Sequence, residues 1–484
     1  MIVGRKLIKK QNLSVTSLPH ASLRRGLNAI HVQLISLGGI IGSCYFLGIG
    51  DSIQNLGAAT VCALLLGGFI VWLVANAMGE LCVGLLRVGG FVSHARELVG
   101  RPWAAGVGWA YWVNWCAYVS SEMIAGSLIM HHFFPAVSTG YWAVLFGIVI
   151  SLTNLSNVKY FGQIESVLTL VIIVAILFFC VMAVLIWFGI IGQQPDGDGF
   201  IGARHVLGNP ANLMPVGLLL IIQRMVMILV NYQGIETIAL SAAETSNPEQ
   251  TIPMAVRNVS YRIIAAYVIP VILIVLILPR AAVGLQQSVF VTALDRYGFP
   301  WALLFFSVVG ISAALSCANF SLYGAIRSLY SLAQEGLAPR FLASLNKNSV
   351  ASWAIYATVL ISWIFIPLLL FYESTSLYQW LLAVSGFSSA ICWISIFWCQ
   401  LRFRKKLTVD GKNAKDLPFA APGFPYLSYF SIWIQFACLT FVVLDPELRS
   451  CLYLGLPSLL VPMAVIYLKD KKTAPSGAIT QAES

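Results

Sequence analysis

Apolar residues in this chain run in long stretches, with few of the polar interruptions that a half-buried soluble helix or strand shows. Val167–Ile191 contains no charged residue at all. A helix rising 1.5 Å per residue needs about 20 apolar residues to cross roughly 30 Å of hydrocarbon, so this stretch alone is long enough. Twelve such segments are predicted, at 31–53, 57–83, 104–130, 139–156, 162–191, 214–243, 258–279, 301–333, 351–371, 377–400, 426–445 and 450–468. The expected fold class is an all-α integral membrane protein with about 12 transmembrane helices. Composition agrees: 59% of residues are hydrophobic and 10% charged, whereas soluble domains carry about 25% charged residues.

Two of these segments are interrupted, in matching places. The first reads Leu37-Gly-Gly-Ile-Ile-Gly-Ser-Cys44 and the sixth Val230-Asn-Tyr-Gln-Gly-Ile-Glu236. Glycine weakens a helix by about 1 kcal/mol relative to alanine, and broken backbone at membrane depth must line a cavity or be buried in protein. Gly42 and Gly234 lie 192 residues apart, near the length of five spans with their loops. Glycine-broken helices at corresponding positions of two halves point to a transporter built from inverted repeats; close packing of small residues is the plainer alternative. A half-helix beginning after Gly42 presents free N–H groups to a carboxylate. One ending near Val230–Gln233 presents carbonyls to an ammonium group. Together the two breaks suit a zwitterion, hence an amino acid.

Charge placement sets the orientation. Of 29 lysines and arginines, four (Arg204, Arg280, Arg296, Arg449) fall in outer loops, Arg224 falls within a span, and the others lie on one side. The positive-inside rule then puts both termini in the cytoplasm, so the net charge of +10 reflects topology and no nucleic-acid partner is expected. The first 30 residues are polar and basic, without an apolar run before a cleavage site, and read as a cytoplasmic tail. Most of the ten cysteines sit in apolar segments, which argues against a disulfide framework. His131-His132 has no third ligand nearby, so neither metal nor cofactor is expected.

The motifs resemble the amino acid–polyamine–organocation superfamily, in its bacterial amino acid permease branch. The resemblance runs from about residue 24 to 468 and rests on His31–Gly48, Met78-Gly-Glu-Leu81, Ala95–Gly100, Gly108–Trp115, Gln233-Gly-Ile-Glu236 and Ala243–Pro253. Ala314-Leu-Ser316, Leu322-Tyr323 and the basic loop Arg402–Lys415 before Asp416–Phe419 continue it. It implies a LeuT-like 5+5 inverted repeat with helices 1 and 6 broken. The divisions that follow are a tail (1–30), a transport core (31–400; repeats 31–191 and 214–400), a basic cytoplasmic loop (401–425), helices 11 and 12 (426–468) and a second tail (469–484). It implies substrate-binding residues at Ile40, Gly42, Ser43, Cys44, Val230, Asn231, Gln233 and Gly234. The chain departs from the family pattern in having Cys44 for a glycine, Val230 for an aromatic gate (with the bulkier Tyr232 two residues on), and Ile172 for a lysine proposed as a proton-responsive stand-in for sodium.

Ionisable groups within a span cost at least about 2.5–3.5 kcal/mol near the bilayer centre, so Glu122 and Glu236 are candidates for coupling or gating, with Tyr232. Arg224 is expected to snorkel into an outer vestibule, with pairing to Glu122 or an anionic substrate as alternatives. Glu80 and Glu244, near cytoplasmic ends, are expected to be solvated or capping. A sodium-like site would combine carbonyls near Gly38–Ile41 with the hydroxyls of Ser312 and Ser316. Trp109, Trp112 and Trp115 read as packing.

The function expected is secondary active amino acid transport in the bacterial cytoplasmic (inner) membrane, coupled to protons, with sodium coupling or exchange for a counter-substrate as alternatives. Chemistry of other classes finds little support. No Gly-x-x-x-x-Gly-Lys-Ser/Thr phosphate loop and no His-Glu-x-x-His are present, and the two tails are short for a sensor's output domain. The amino acid carried and the oligomeric state are left open.

Overall fold

A computed structural model describes residues 41–85, 90–155, 158–193, 195, 199–207, 217–237, 253–254, 256, 264–346, 350–413 and 417–473. Ile40, the glycines at 38 and 39, Glu244 and the first tail lie outside the described residues, as does the second tail beyond Thr473, its first residues, 469–473, closing the last helix. Those described are helical, joined by turns and irregular segments.

After Gly42 the chain enters a π-helical turn, Cys44–Gly48, that continues as α1 (Ile49–Leu56). Then come α2 (Ala59–Gly84), the short α3 (Gly90–Leu98), α4 (Arg101–Phe133), α5 (Thr139–Leu155) and α6 (Val158–Trp187). The second half holds α7 (Leu218–Leu229), α8 (Ile269–Ile277), α9 (Val289–Arg296), α10 (Trp301–Gln334) and α11 (Ser352–Trp363). Last are α12 (Ser374–Val409), α13 (Tyr426–Phe441) and α14 (Leu452–Thr473).

Among the described residues seven helical segments are long and apolar enough to cross a membrane, and three shorter apolar ones fall at expected spans 4, 6 and 7. The helix of expected span 3, α4, is 33 residues long. It buries Asn114, Ser120, Ser121, Glu122 and Ser127, a polar load that only a helix surrounded by protein can carry. α12 is central, its apolar stretch almost wholly buried, whereas the last two spans are mostly exposed and form the periphery. α4 packs against α10, α12, α14 and α5.

The end of α12 differs from expectation. The helix runs on to Val409, so the basic segment 401–425 begins as helix rather than loop. Leu, Arg and Lys are good helix formers, and the charges find partners. Arg404 binds Glu80 through Nε at 2.5 Å and Nη2 at 2.8 Å, and Lys406 Nζ lies 3.1 Å from Glu97. Glu80 is therefore not a solvated end group. It is fully buried and also accepts from Gln400 Nε2 at 3.2 Å and the Ala421 N–H at 2.7 Å. That carboxylate joins α2, α12 and the segment leading into α13.

Candidate functional site

The second sequence break is a break in the fold, and at the first the described chain enters a helix just after Gly42. At the first, Gly42 precedes the helical turn and Ser43 begins it. The Ser43 N–H points at the Glu122 carboxylate, 3.1 and 3.2 Å from its two oxygens. A buried carboxyl at a helix N-terminus meets an unsatisfied donor and the positive end of the helix dipole. Glu122 thus stands where the sequence suggests a substrate carboxylate. Gly42 allows this close approach: a Cβ there would lie 2.5 Å from Glu122 Oε1, 2.7 Å from Cys317 Sγ and 2.8 Å from the Tyr118 hydroxyl. Ser43 Oγ shares a hydrogen bond with Tyr378 at 3.0 Å, and Cys44 Sγ shares one with Tyr118 at 2.9 Å. Cys44 is fully buried, its thiol turned onto that tyrosine of α4.

At the second break α7 stops at Leu229 and tightens into a 3-10 turn, Val230–Tyr232. Gln233 is extended and Gly234 has φ +102°, a region in which a Cβ is strained. A further 3-10 turn, Ile235–Thr237, follows. The carbonyls expected to face an ammonium group are partly used already, since Asn231 Nδ2 donates to Met227 at 3.0 Å and to Ile228 at 3.3 Å. Val230 is buried. Tyr232 turns onto α2, its hydroxyl donating to the Leu64 carbonyl at 2.8 Å and its ring 5.1 Å from that of Tyr267.

Two helices connect the breaks. On α4 the residues Tyr111, Asn114, Tyr118 and Glu122 recur every three or four positions and so share a face. Asn114 and Glu122 are about 12 Å apart at 1.5 Å per residue. On α12 Tyr378 serves the first break, Ser385 the second and Trp393 the turn beyond it. Ser385 Oγ lies 2.5 Å from Asn114 Oδ1 and 3.0 Å from Gln233 Oε1. A hydroxyl has one hydrogen to give, so one amide must turn its NH2 toward Ser385. Trp393 Nε1 donates to Glu236 Oε2 at 3.3 Å. Glu122 and Glu236, both buried, therefore mark the two breaks separately, each beside a hydrogen-bond donor.

Other candidates fall elsewhere. Ser312 Oγ donates to the Val308 carbonyl at 2.8 Å, on a partly exposed face of its own helix, whereas Ser316 is fully buried. Ile172 is fully buried on α6. Arg224 does not snorkel: it is 5% exposed and ion-paired with Asp51, Asp445 and Glu447. These acids were beyond reach of local sequence reading because Asp51 stands 173 residues from Arg224 in the chain and Asp445 and Glu447 come from the turn between α13 and α14. The tryptophans of α4 pack as expected, Trp109 donating to the Leu337 carbonyl and Trp112 to Thr358. Tyr118, Tyr378, Asn114, Ser385 and Trp393 are the site residues that sequence reasoning missed. For Tyr118 and Asn114 a signal existed, their spacing of four and eight residues from a charged residue within a span.

Comparison with known proteins agrees with this architecture. The amino acid permease family model matches residues 31–473. The amino-acid permease RocC of Bacillus subtilis is 32% identical over 93% of this chain and 95% of its own length. The lysine-specific permease LysP of Escherichia coli is 31% identical over 83% of both chains. The L-asparagine permease of Escherichia coli is 30% identical over 89% of this chain and 87% of its own. The chain belongs to the amino acid permease family, multi-pass membrane proteins whose work is transport rather than catalysis.

Proposed function

We propose that this protein takes up an amino acid across a bacterial cytoplasmic membrane in symport with a proton, and that Glu122 is the coupling group. The framework is twelve spans in a LeuT-like 5+5 arrangement with both termini cytoplasmic. Ile40, Gly42, Ser43 and Cys44 form one wall of the substrate site and Val230, Asn231, Gln233 and Gly234 the other. The observation that carries the reading is the Glu122 carboxylate on the Ser43 N–H. Two carboxylates cannot share one helix N-terminus, because like charges in a low-dielectric site repel strongly. Protonating Glu122 removes its charge, weakening its hold on the amide, and lets the substrate carboxylate take its place. Release of the amino acid then lets Glu122 ionise and return. Glu236, on Trp393 at the other break, is a second proton-binding candidate.

The scheme gives a direction. Uptake by the parent protein should rise as external pH falls, since the proton is a co-substrate. Glu122→Gln should still bind amino acid but lose most of that pH dependence, measured as initial uptake into proteoliposomes between pH 5.5 and 8. Wild-type pH dependence in the variant would remove Glu122 from the coupling role. The same vesicles separate symport from exchange, because an exchanger needs internal amino acid and a symporter needs only the proton gradient. Stimulation by sodium alone would favour the Ser312 and Ser316 hydroxyls instead.

Recognition by the helix N-terminus has its own test. Free amino acids should compete for uptake at least about tenfold better than their amides, the loss expected when a charge-assisted hydrogen bond worth ~1.5–3 kcal/mol is removed. Competition by the amide equal to that by the acid would refute a carboxylate site at Ser43. A screen of all twenty amino acids then identifies the one carried. Relatives named for lysine and for asparagine make a cationic and an amide side chain the first to try.

A further inference from the structure

Arg224 on α7 gathers acids from separate parts of the fold. Its Nη1 lies 3.3 Å from Asp51 Oδ2 on α1, its Nε 2.9 Å from Asp445 Oδ2 and its Nη2 2.7 Å from Glu447 Oε2. Asp445 and Glu447 belong to the turn joining α13 to α14. Gln379, near the start of α12, donates to Asp51 Oδ1 at 3.2 Å and to Glu447 Oε2 at 3.4 Å. Asp445 uses its other oxygen to accept the N–H groups of Glu447 and Leu448, at 3.0 and 3.3 Å. The turn is thereby shaped to hold Oδ2 toward the guanidinium. Arg224, Asp51 and Asp445 are each 5% exposed or less, whereas the Glu447 side chain is 57% exposed.

Burying ions gives little net stability, so the arrangement calls for another reason. The contacts divide into two sets. Arg224–Asp51 joins α7 to α1, the two segments flanking the breaks. Arg224–Asp445, Arg224–Glu447 and Gln379–Asp51 tie that pair to α12 and to the α13–α14 hairpin. Opening at this end by moving α1 and α7 together would part the second set and leave the first intact. We propose that Asp445 and Glu447 form a latch which holds this end of the α1–α7 pair closed against the last two helices and releases once per cycle. The hairpin of α13 and α14 is thereby part of the moving machinery rather than an appendage. The inference rests on the transporter reading, and its test needs no amino acid.

Spin labels at Gln286 and Val443, both exposed, report the opening by pulsed electron paramagnetic resonance, with Cys62→Ser and Cys180→Ala removing accessible thiols. The loop carrying Gln286 follows α1, since a Cβ on Gly50 would lie 2.2 Å from the Gly284 carbonyl. The parent protein should give one dominant short distance. Asp445→Asn with Glu447→Gln removes charge but keeps the Asp445 turn oxygen, and should raise the ratio of long to short distances at least tenfold. Glu447→Gln alone, at a half-exposed position outside the core, should move the ratio the same way by less. The exposed Glu373→Gln should leave it unchanged. A single unshifted distance in both latch variants, or an equal shift with Glu373→Gln, would overturn the latch. Failure of amino acid uptake with the latch intact would instead count against the transport reading.

Discussion

Glu80→Ala should destabilise the protein by about 3–5 kcal/mol, the cost of breaking a buried ion pair by removing one partner. The substitution strands three groups at once. Arg404 keeps a charge with a side chain only 11% exposed, while Gln400 Nε2 and the Ala421 N–H lose an acceptor. Glu80→Gln keeps an oxygen for one donor and should fall between the two. Monodispersity and melting in detergent read the effect directly. If Glu80→Ala melts with the parent, the joint between α2, α12 and the segment before α13 holds by packing alone. The transport site should be spared at temperatures where the variant stays folded, because Glu80 touches neither break.

Two glycine-to-alanine changes should separate folding from function. At Gly386 a Cβ would fall 2.0 Å from the Val226 carbonyl oxygen and 2.9 Å from its carbon. Backbone cannot step aside as a side chain can, so α7 and α12 must move apart. Overpacking of this kind costs about 1–3 kcal/mol, occasionally more, and here it should push α7 from its seat and remove most folded protein. At Gly42 the atoms in the way are the tips of Glu122, Cys317 and Tyr118, which can shift. Gly42→Ala should therefore fold, with melting lowered by no more than the displaced contact between Ser43 and Glu122 accounts for, a bond of ~1.5–3 kcal/mol, yet lose transport by at least about tenfold. Parent-like uptake by Gly42→Ala would show that the close approach at the first break is dispensable. Parent-like melting of Gly386→Ala would place the two helices farther apart than described here.

Much of this was legible in the residues. Long uncharged runs such as Val167–Ile191 have one stable environment, so the helices and the membrane follow from the chain itself. Gly234 announced a break because a flexible residue flanked by Asn231, Gln233 and Glu236 has no business in lipid otherwise. Glu122 and Arg224 announced themselves by charge, but their partners did not. The Ser43 N–H that meets Glu122 belongs to every residue's backbone and carries no mark in sequence. Of the acids that meet Arg224, Asp51 lies 173 residues away on α1, and Asp445 and Glu447 sit in a turn whose position depends on how α13 and α14 pack. The same holds for Ser385, one serine among many until α12 sets it between Asn114 and Gln233. The extension of α12 to Val409 was hidden for the opposite reason, since its basic residues read as loop until Glu80 and Glu97 supplied partners.

α12 carries its contacts in fixed rotational order: Tyr378 and Gln379 near one end, Ser385 and Gly386 within, Trp393 beyond, and Gln400 with Arg404 at the other. Each residue of a helix is turned about 100° from the one before. Deleting or inserting one residue anywhere between Tyr378 and Arg404 would rotate every contact on one side of the change relative to the other, and no side-chain adjustment restores that phase. Heritable changes of chain length should therefore be excluded from this segment and absorbed past Val409, where a turn at Gly411 can take up residues without altering which way any of these side chains faces.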